Sequence, residues 1–148
     1  VQNGAPSSLV SLMTVIHRLA TPRDAENYVV RLRQIAPRMD EIIAEAKRRA
    51  TKRLLPPRFI IQAVLREMRA FVATEPAANP LVTTLADKSR QIGGLDPVRR
   101  QQLQAEAEQI VRSQVYPAWR KAIAMAEPWL DQTNDDAGLW RLQTGIEA

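Results

Sequence analysis

The chain contains no cysteine and only one histidine, His17, among its 148 residues. Without cysteine it can form no disulfide, no thiolate metal site and no cysteine nucleophile. Catalytic zinc sites take three protein ligands, usually including two histidines, and no two-histidine site can be built from this chain alone. A lone histidine on the rim of an amphipathic helix is typical of a packed or solvated side chain. We therefore expect no catalytic residue, no metal ligand and no cofactor in this chain.

Long apolar runs and glycine-rich loops are also missing. No hydrophobic run approaches the roughly 20 residues needed to cross a bilayer, so no membrane span is predicted. The pair Gly93-Gly94 lacks the further glycines and the lysine of a phosphate-binding loop. The chain begins at Val1 and shows no signal peptide pattern. We therefore expect residues 1–148 to be a single domain that is a processed product or a fragment of a larger protein.

The longest periodic segment is residues 21–54. Its apolar side chains recur at intervals of three and four, which places them along one stripe of an α-helix. Pro37 lies inside this run and predicts a kink rather than a break, because the stripe continues in register on both sides. The stripe consists of Ala25, Tyr28, Val29, Leu32, Ile35, Ala36, Met39, Ile42, Ile43, Ala46, Ala50 and Leu54.

Other helices are marked by their start signals. A capping residue followed by proline occurs at Thr21-Pro22, Asn79-Pro80 and Asp96-Pro97. A first helix should end near residue 20, and another should open at Pro57 with an apolar face wider than a small bundle needs. The helix after Asp96 is long and contains Pro117. No alternating strand pattern is present. These features predict an all-α antiparallel bundle of about five helices, two of them long and proline-kinked.

The formal charge of +5 is unevenly distributed. Residues 1–74 carry 13 Lys and Arg against 6 Asp and Glu, whereas residues 75–148 carry 8 against 10. The conspicuous basic cluster, the candidate binding site for an anionic partner, comprises Lys47, Arg48, Arg49, Lys52 and Arg53. Cations at a helix C-terminus also favour the helix dipole, which is the simpler interpretation. No stacking aromatics or helix-turn-helix signature accompany the charge, so nucleic acid is not the expected partner.

Several short motifs, taken in order, resemble the N-terminal helical part of the bacterial DUF885 family. The likeness covers nearly the whole chain, although residues 143–145 depart from the family's continuation. The motifs are Thr21-Pro22-x-Asp24-Ala25-Glu26-Asn27-Tyr28 with Arg31-Leu32, Leu55-Pro56-Pro57-Arg58, Val115-Tyr116-Pro117-Ala118-Trp119-Arg120, and Asp136-x-Gly138-Leu139-Trp140-x-Leu142.

The resemblance implies a role that the residues alone do not. Full members of the family look like helical zinc metallopeptidases, with a His-Glu-x-x-His signature well downstream, and many look like exported proteins or lipoproteins. The chain stops before that signature, so no catalytic residue is carried over. The resemblance predicts a non-catalytic helical portion of a larger metallopeptidase-like protein, periplasmic or exported. Its partners would be the missing C-terminal catalytic region, which would bind the zinc, or a second copy of the chain. The alternative is a stand-alone basic module that binds an acidic partner or nucleic acid.

Overall fold

A computed structural model describes residues 18–133, and the regular structure among these residues is entirely helical. The all-α prediction is confirmed. Two long helices, each interrupted once, pack side by side, and two further helices lie between them along the chain. In chain order the elements are α1 (Pro22–Leu32), α2 (Ile35–Thr51), α3 (Arg58–Ala73), a 3₁₀ turn (Pro76–Ala78), α4 (Pro80–Ser89), α5 (Pro97–Ile110), a π-helical segment (Val111–Val115), α6 (Tyr116–Ala126) and a 3₁₀ segment (Glu127–Gln132).

We call α1 with α2 the first long helix, and α5, the π-helical segment and α6 the second long helix. Together with α3 and α4 they make four helical units in the described part of the chain, where the sequence predicted about five helices. The predicted first helix lies outside the described residues, except for residues 18–20, which are not helical. The predicted irregular tail after residue 133 also lies outside them.

The first long helix is interrupted at Arg33 and Gln34, four and three residues before Pro37. The kink predicted at Pro37 is therefore displaced, and it is a short break in the α-helical hydrogen bonding. Proline lacks an N–H and its ring crowds the carbonyl four residues earlier, which here belongs to Arg33. Because α2 begins at Ile35, Pro37 lies in its first turn, where the amides have no partner within the helix. The interruption thus removes most of the cost of the proline.

The second long helix accommodates Pro117 in a similar way. The carbonyl four residues before Pro117 belongs to Ser113, which lies inside the π-helical segment. Ser113 also donates a hydrogen bond from its hydroxyl to the carbonyl of Gln109, at 2.7 Å. A π-bulge widens the helix by one residue per turn, which makes room for the proline ring. Both internal prolines are therefore preceded, about one turn earlier, by an interruption of the α-helix.

The two long helices run in the same direction, which corrects the antiparallel prediction for this pair. Three ion pairs link them, and the residue numbers rise together along both helices. They are Glu26–Arg99, Arg33–Glu106 and Asp40–Lys121, at 2.7, 2.9 and 3.0 Å. Helices α3 and α4 intervene along the chain and return it to its starting end. Sequence periodicity identifies each helix but carries no information about direction.

Helix α3 does run antiparallel to α6. At the start of α3, the Arg58 guanidinium donates to the carbonyls of Leu130 and Thr133, just beyond α6. At its other end, the Phe71 ring packs edge-on against Tyr116 at the start of α6, with 5.6 Å between centroids. The Phe71 ring also stacks on the buried Trp119, at 4.8 Å. Aromatic pairs of this kind add about 0.5–1.5 kcal/mol beyond the area they bury.

A buried polar junction joins α1, α4 and the second long helix. Asn79 is 0% exposed, and its side-chain oxygen caps α4 by accepting from the Leu81 N–H at 2.8 Å. Its amide nitrogen donates to the Tyr116 hydroxyl at 3.1 Å, and that hydroxyl donates to the carbonyl of Thr74. The Tyr28 hydroxyl donates to the carbonyl of Leu81 at 2.7 Å. Each buried polar group thus has a partner, as low dielectric surroundings require.

Helix α2 ends at Thr51, three residues before the end of the periodic segment predicted over residues 21–54. The Arg53 N–H donates to the Ala50 carbonyl, and the Leu54 N–H donates to the Arg49 carbonyl, at 2.9 Å in each case. This pair of bonds is a Schellman motif, which needs a left-handed residue after the C-cap. Arg53 is that residue, with φ of 60°.

Replacing Asn79 with alanine tests the buried junction. The change removes a helix cap worth about 1 kcal/mol and leaves buried partners unsatisfied at about 1–3 kcal/mol more, so we expect a loss of about 2–4 kcal/mol. Denaturant unfolding measures it. Asp96→Ala is the matched control, because Asp96 also caps a helix before a proline but is exposed. Equal losses from the two variants would show that the junction adds nothing beyond capping.

Replacing Arg53 with glycine should stabilise the protein. A residue with a side chain is strained in the left-handed region by about 1–2 kcal/mol, and the greater unfolded-state freedom of glycine offsets part of that. We expect a net gain of about 0.5–1 kcal/mol in the free energy of unfolding. Lys52→Gly is the control, since Lys52 has a negative φ of −94°. A gain at Lys52 equal to that at Arg53 would contradict this explanation.

Candidate functional site

The basic cluster lies at the C-terminal end of α2. Lys47, Arg48 and Arg49 belong to the last turns of the helix, Lys52 is its C-cap, and Arg53 is the left-handed residue that follows. All five side chains are exposed. The position agrees with the dipole interpretation, in which cations next to the free carbonyls of a helix end are favoured by about 0.3–1 kcal/mol each. The predicted residues therefore lie in one exposed stretch of chain at the end of α2.

Two of the five cations share one carboxylate. Both Glu45 oxygens accept from the Arg48 guanidinium, at 2.7 and 2.6 Å, and one of them also accepts from Arg49 at 3.0 Å. These hydrogen bonds, with Arg48 first, lower the pKa of Glu45 and raise that of Arg48. Surface pairs of this kind contribute little to stability. Their effect here is to fix the two arginines over the helix surface.

The other three cations, Lys47, Lys52 and Arg53, form no ion pair with any residue between 18 and 133. Glu45 is the only acidic residue in the segment 45–53. With five cations, this segment therefore has a net charge of +4. Unpaired exposed cations keep their hydration until an anion displaces it. This end of α2 therefore carries a concentration of exposed positive charge, and its role as a binding site for an anionic partner stays a prediction.

Two exposed large apolar side chains follow this basic cluster in the chain. Leu54 is 46% exposed and Phe59, in the first turn of α3, is 53% exposed. Sequence periodicity did not predict that these side chains are exposed. It assigned Leu54 to the buried apolar stripe, but the helix ends before this residue. Phe59 sits two positions before the buried Ile61 and so falls off the buried face of α3. Their exposure could have been predicted only from the exact residues at which α2 ends and α3 begins.

A groove lies between α4 and the start of α5. This groove has a volume of about 330 Å³ and contains two guanidinium groups, of which Arg90 lies 3.8 Å from Asp87. Sequence analysis missed it, because its walls come from separate helices and no motif marks them. Its lining residues are Ala86, Arg90, Pro97, Val98, Arg100, Gln101 and Gln104.

The acidic side chains of the described residues are dispersed over the helices. No group of three or more His, Cys, Asp or Glu side chains converges within residues 18–133. His17 lies outside that range. Burial raises the pKa values of Tyr28 and Tyr116, which keeps both phenols neutral and fits their hydrogen bonds to carbonyls. The Arg99 guanidinium lowers the pKa of Glu26, which holds this carboxylate in its interhelical pair. These titratable groups support the fold.

None of the helices between residues 18 and 133 is both long enough and apolar enough to cross a bilayer.

Comparison with solved structures reveals a similar fold in a longer protein. A crystal structure described as that of the "putative lipoprotein from Colwellia psychrerythraea" matches with a TM-score of 0.84 and 22% identity. The match covers 88% of this chain and 23% of that chain. At this identity the likeness shows the fold alone. The chain thus spans less than a quarter of the length of the Colwellia protein. A search of curated proteins finds no match.

Comparison with family models is decisive about membership. The model of DUF885, described as a bacterial protein of unknown function, matches residues 2–147. The match extends over nearly the whole chain and includes all the motifs on which the resemblance rested. The likeness of fold to the longer Colwellia protein is a second, separate similarity. The chain belongs to the bacterial DUF885 family.

Proposed function

We propose that this chain is the non-catalytic helical front portion of a longer, exported, zinc-metallopeptidase-like protein. The observation that carries the proposal is the unequal coverage of the match with the Colwellia protein, at 88% of this chain and 23% of the other. A helical fold of this kind is therefore one part of a much longer chain in at least one solved protein. The lipoprotein description of that neighbour supports export.

The potential zinc ligands in this sequence are few, which supports a separation of the helical part from the zinc-binding part in such a protein. Catalytic zinc needs three protein ligands, and this sequence has one histidine and no cysteine. The described carboxylates that lie near other charges are engaged in pairs between or within helices, as Glu26, Glu45 and Glu106 are. These residues do not fit a zinc site. Zinc, where the longer protein binds it, would therefore use ligands outside this segment.

The helical portion would act as a scaffold for the remainder. Its two long helices run side by side and are linked by ion pairs, and α3 packs on the second of them through the contact of Phe71 with the buried Trp119. The excess positive charge of residues 1–74 offers a surface for an acidic part of the longer protein, and the same surface is open to an acidic partner in trans. Self-association of the isolated chain would follow if apolar surface normally covered by the remainder were left exposed.

Zinc content and peptidase activity, measured on two proteins, test this proposal. The longer family protein that contains this segment should retain stoichiometric zinc through dialysis against a weak chelator. The 148-residue chain should retain none. His17→Ala, introduced into both proteins, should change neither result, because the sole histidine of this segment is not expected to be a ligand.

Two outcomes would contradict the proposal in different ways. Zinc retained by the 148-residue chain and lost on His17→Ala would place a metal site in this segment. A longer protein that retains no zinc and hydrolyses no peptide would remove the metallopeptidase assignment and leave only a helical scaffold.

A further inference from the structure

The corner between α2 and α3 combines positive charge with exposed apolar side chains. We call this the basic corner and define it as the basic cluster together with Leu54 and Phe59. The five cations lie within seven residues and outweigh Glu45 by four charges. Glu45 is already occupied by Arg48 and Arg49, so the other three cations are available to an external anion.

The backbone holds these groups at the edge of the bundle. The Schellman motif ends α2 and turns the chain at Arg53, which presents Leu54 immediately after the cations. Pro56 and Pro57 have restricted backbones and lead directly into α3, where Phe59 occupies the first turn. The Arg58 guanidinium anchors this turn by bonding the carbonyls of Leu130 and Thr133. The corner is thus fixed, although its side chains point into solvent.

The apolar pair distinguishes this corner from the rest of the described surface. Four large hydrophobic side chains are exposed between residues 18 and 133, and Leu54 and Phe59 are the two that lie within five positions of each other. The others, Val30 and Val98, lie on separate helices. Exposing Leu and Phe costs free energy in proportion to their area, and that cost is recovered only when they leave water.

Cations beside Leu and Phe suit the interface of an anionic bilayer. Anionic headgroups attract juxtaposed Lys and Arg, while the region below them accepts small amounts of apolar surface. An acidic peptide would pair with the cations, as clusters of arginine do in such complexes, but that pairing alone would leave Leu54 and Phe59 in water. Nucleic acid would use the cations but leave Leu54 in water. We propose that the basic corner binds the surface of a bilayer that contains anionic lipid.

This proposal is independent of the metallopeptidase assignment. It concerns the 148-residue chain itself and needs no residue outside it. Peripheral binding of this kind also requires no membrane-spanning helix. Failure of the vesicle experiment below would leave the zinc experiment unaffected, and the reverse also holds.

Vesicle co-sedimentation of the 148-residue chain tests the corner. The chain should partition into vesicles of phosphatidylglycerol and phosphatidylcholine, and far less into pure phosphatidylcholine. The variant Lys47→Gln, Lys52→Gln, Arg53→Gly should lose about fivefold in partition coefficient for each cation removed. Arg53→Gly removes charge while keeping the left-handed backbone. Phe59→Ser should lose at least about threefold by removing insertable apolar surface.

Matched controls separate the corner from generic attraction. The triple variant Arg23→Gln, Arg31→Gln, Arg66→Gln removes the same charge from exposed arginines that form no ion pair among the described residues. It should bind anionic vesicles within about twofold of the parent chain, because screening confines the attraction to charges near the surface. Val98→Ser is the control for Phe59→Ser, since Val98 is 62% exposed on a different helix. Thermal unfolding confirms that every variant is folded.

Three results would overturn the proposal. The first is equal partition into anionic and neutral vesicles. The second is a loss from the control triple variant as large as that from the corner variant. The third is tighter binding to a double-stranded oligonucleotide than to anionic vesicles at physiological salt, with the same dependence on Lys47, Lys52 and Arg53, which would assign the surface to nucleic acid.

Discussion

The fold depends on the hydrogen bonds that surround one fully buried amide, that of Asn79. This side chain caps α4 and donates to Tyr116, which in turn donates to the carbonyl of Thr74, the C-cap of α3. Tyr28 reaches the same region from α1. An unpaired amide or hydroxyl in a dry interior costs more than the bond it would have made. The three elements must therefore meet in this one arrangement, and hydrophobic burial alone would not impose it.

Proline shapes the helices that meet at this junction. Pro37 and Pro117 are both preceded by an interruption that includes the carbonyl with which the proline ring would collide. Each long helix consequently consists of two segments. Ion pairs from Glu26–Arg99 to Asp40–Lys121 link the two long helices along their length. These exposed pairs add little energy, but their order along both helices records the parallel arrangement.

The charged surface and the buried core belong to different parts of the same helix. Along α2, Ile35, Met39 and Ile43 face the interior, whereas the last turns carry the basic cluster and leave the bundle. Helix α3 then starts with Phe59 in solvent before its buried positions begin. The bundle thus uses the ends of these two helices as surface and their middles as core. A scaffold built in this way leaves one corner free for contact with another molecule.

The sequence by itself determined the helical class, most helix starts and the location of the charge. These properties are local: a cap followed by proline selects a start, and intervals of three and four select a buried stripe, whatever lies opposite. The basic cluster lies within the seven consecutive residues from Lys47 to Arg53, so all five cations lie at the same helix end. Membership in DUF885 could also be inferred from short motifs, and the family match confirms it.

Only the tertiary structure decided the direction of the helices, the positions of the bends and the identity of the exposed apolar residues. Each depends on contacts between residues that are distant in sequence. Examples are the contacts of Arg33 with Glu106, of Asn79 with Tyr116, and of Arg58 with Leu130 and Thr133. An apolar stripe can be satisfied by a parallel or an antiparallel neighbour, so periodicity leaves the direction open. The exposure of Leu54 and Phe59 likewise follows from where helices end and which neighbours are absent there, because burial is a property of the packed assembly.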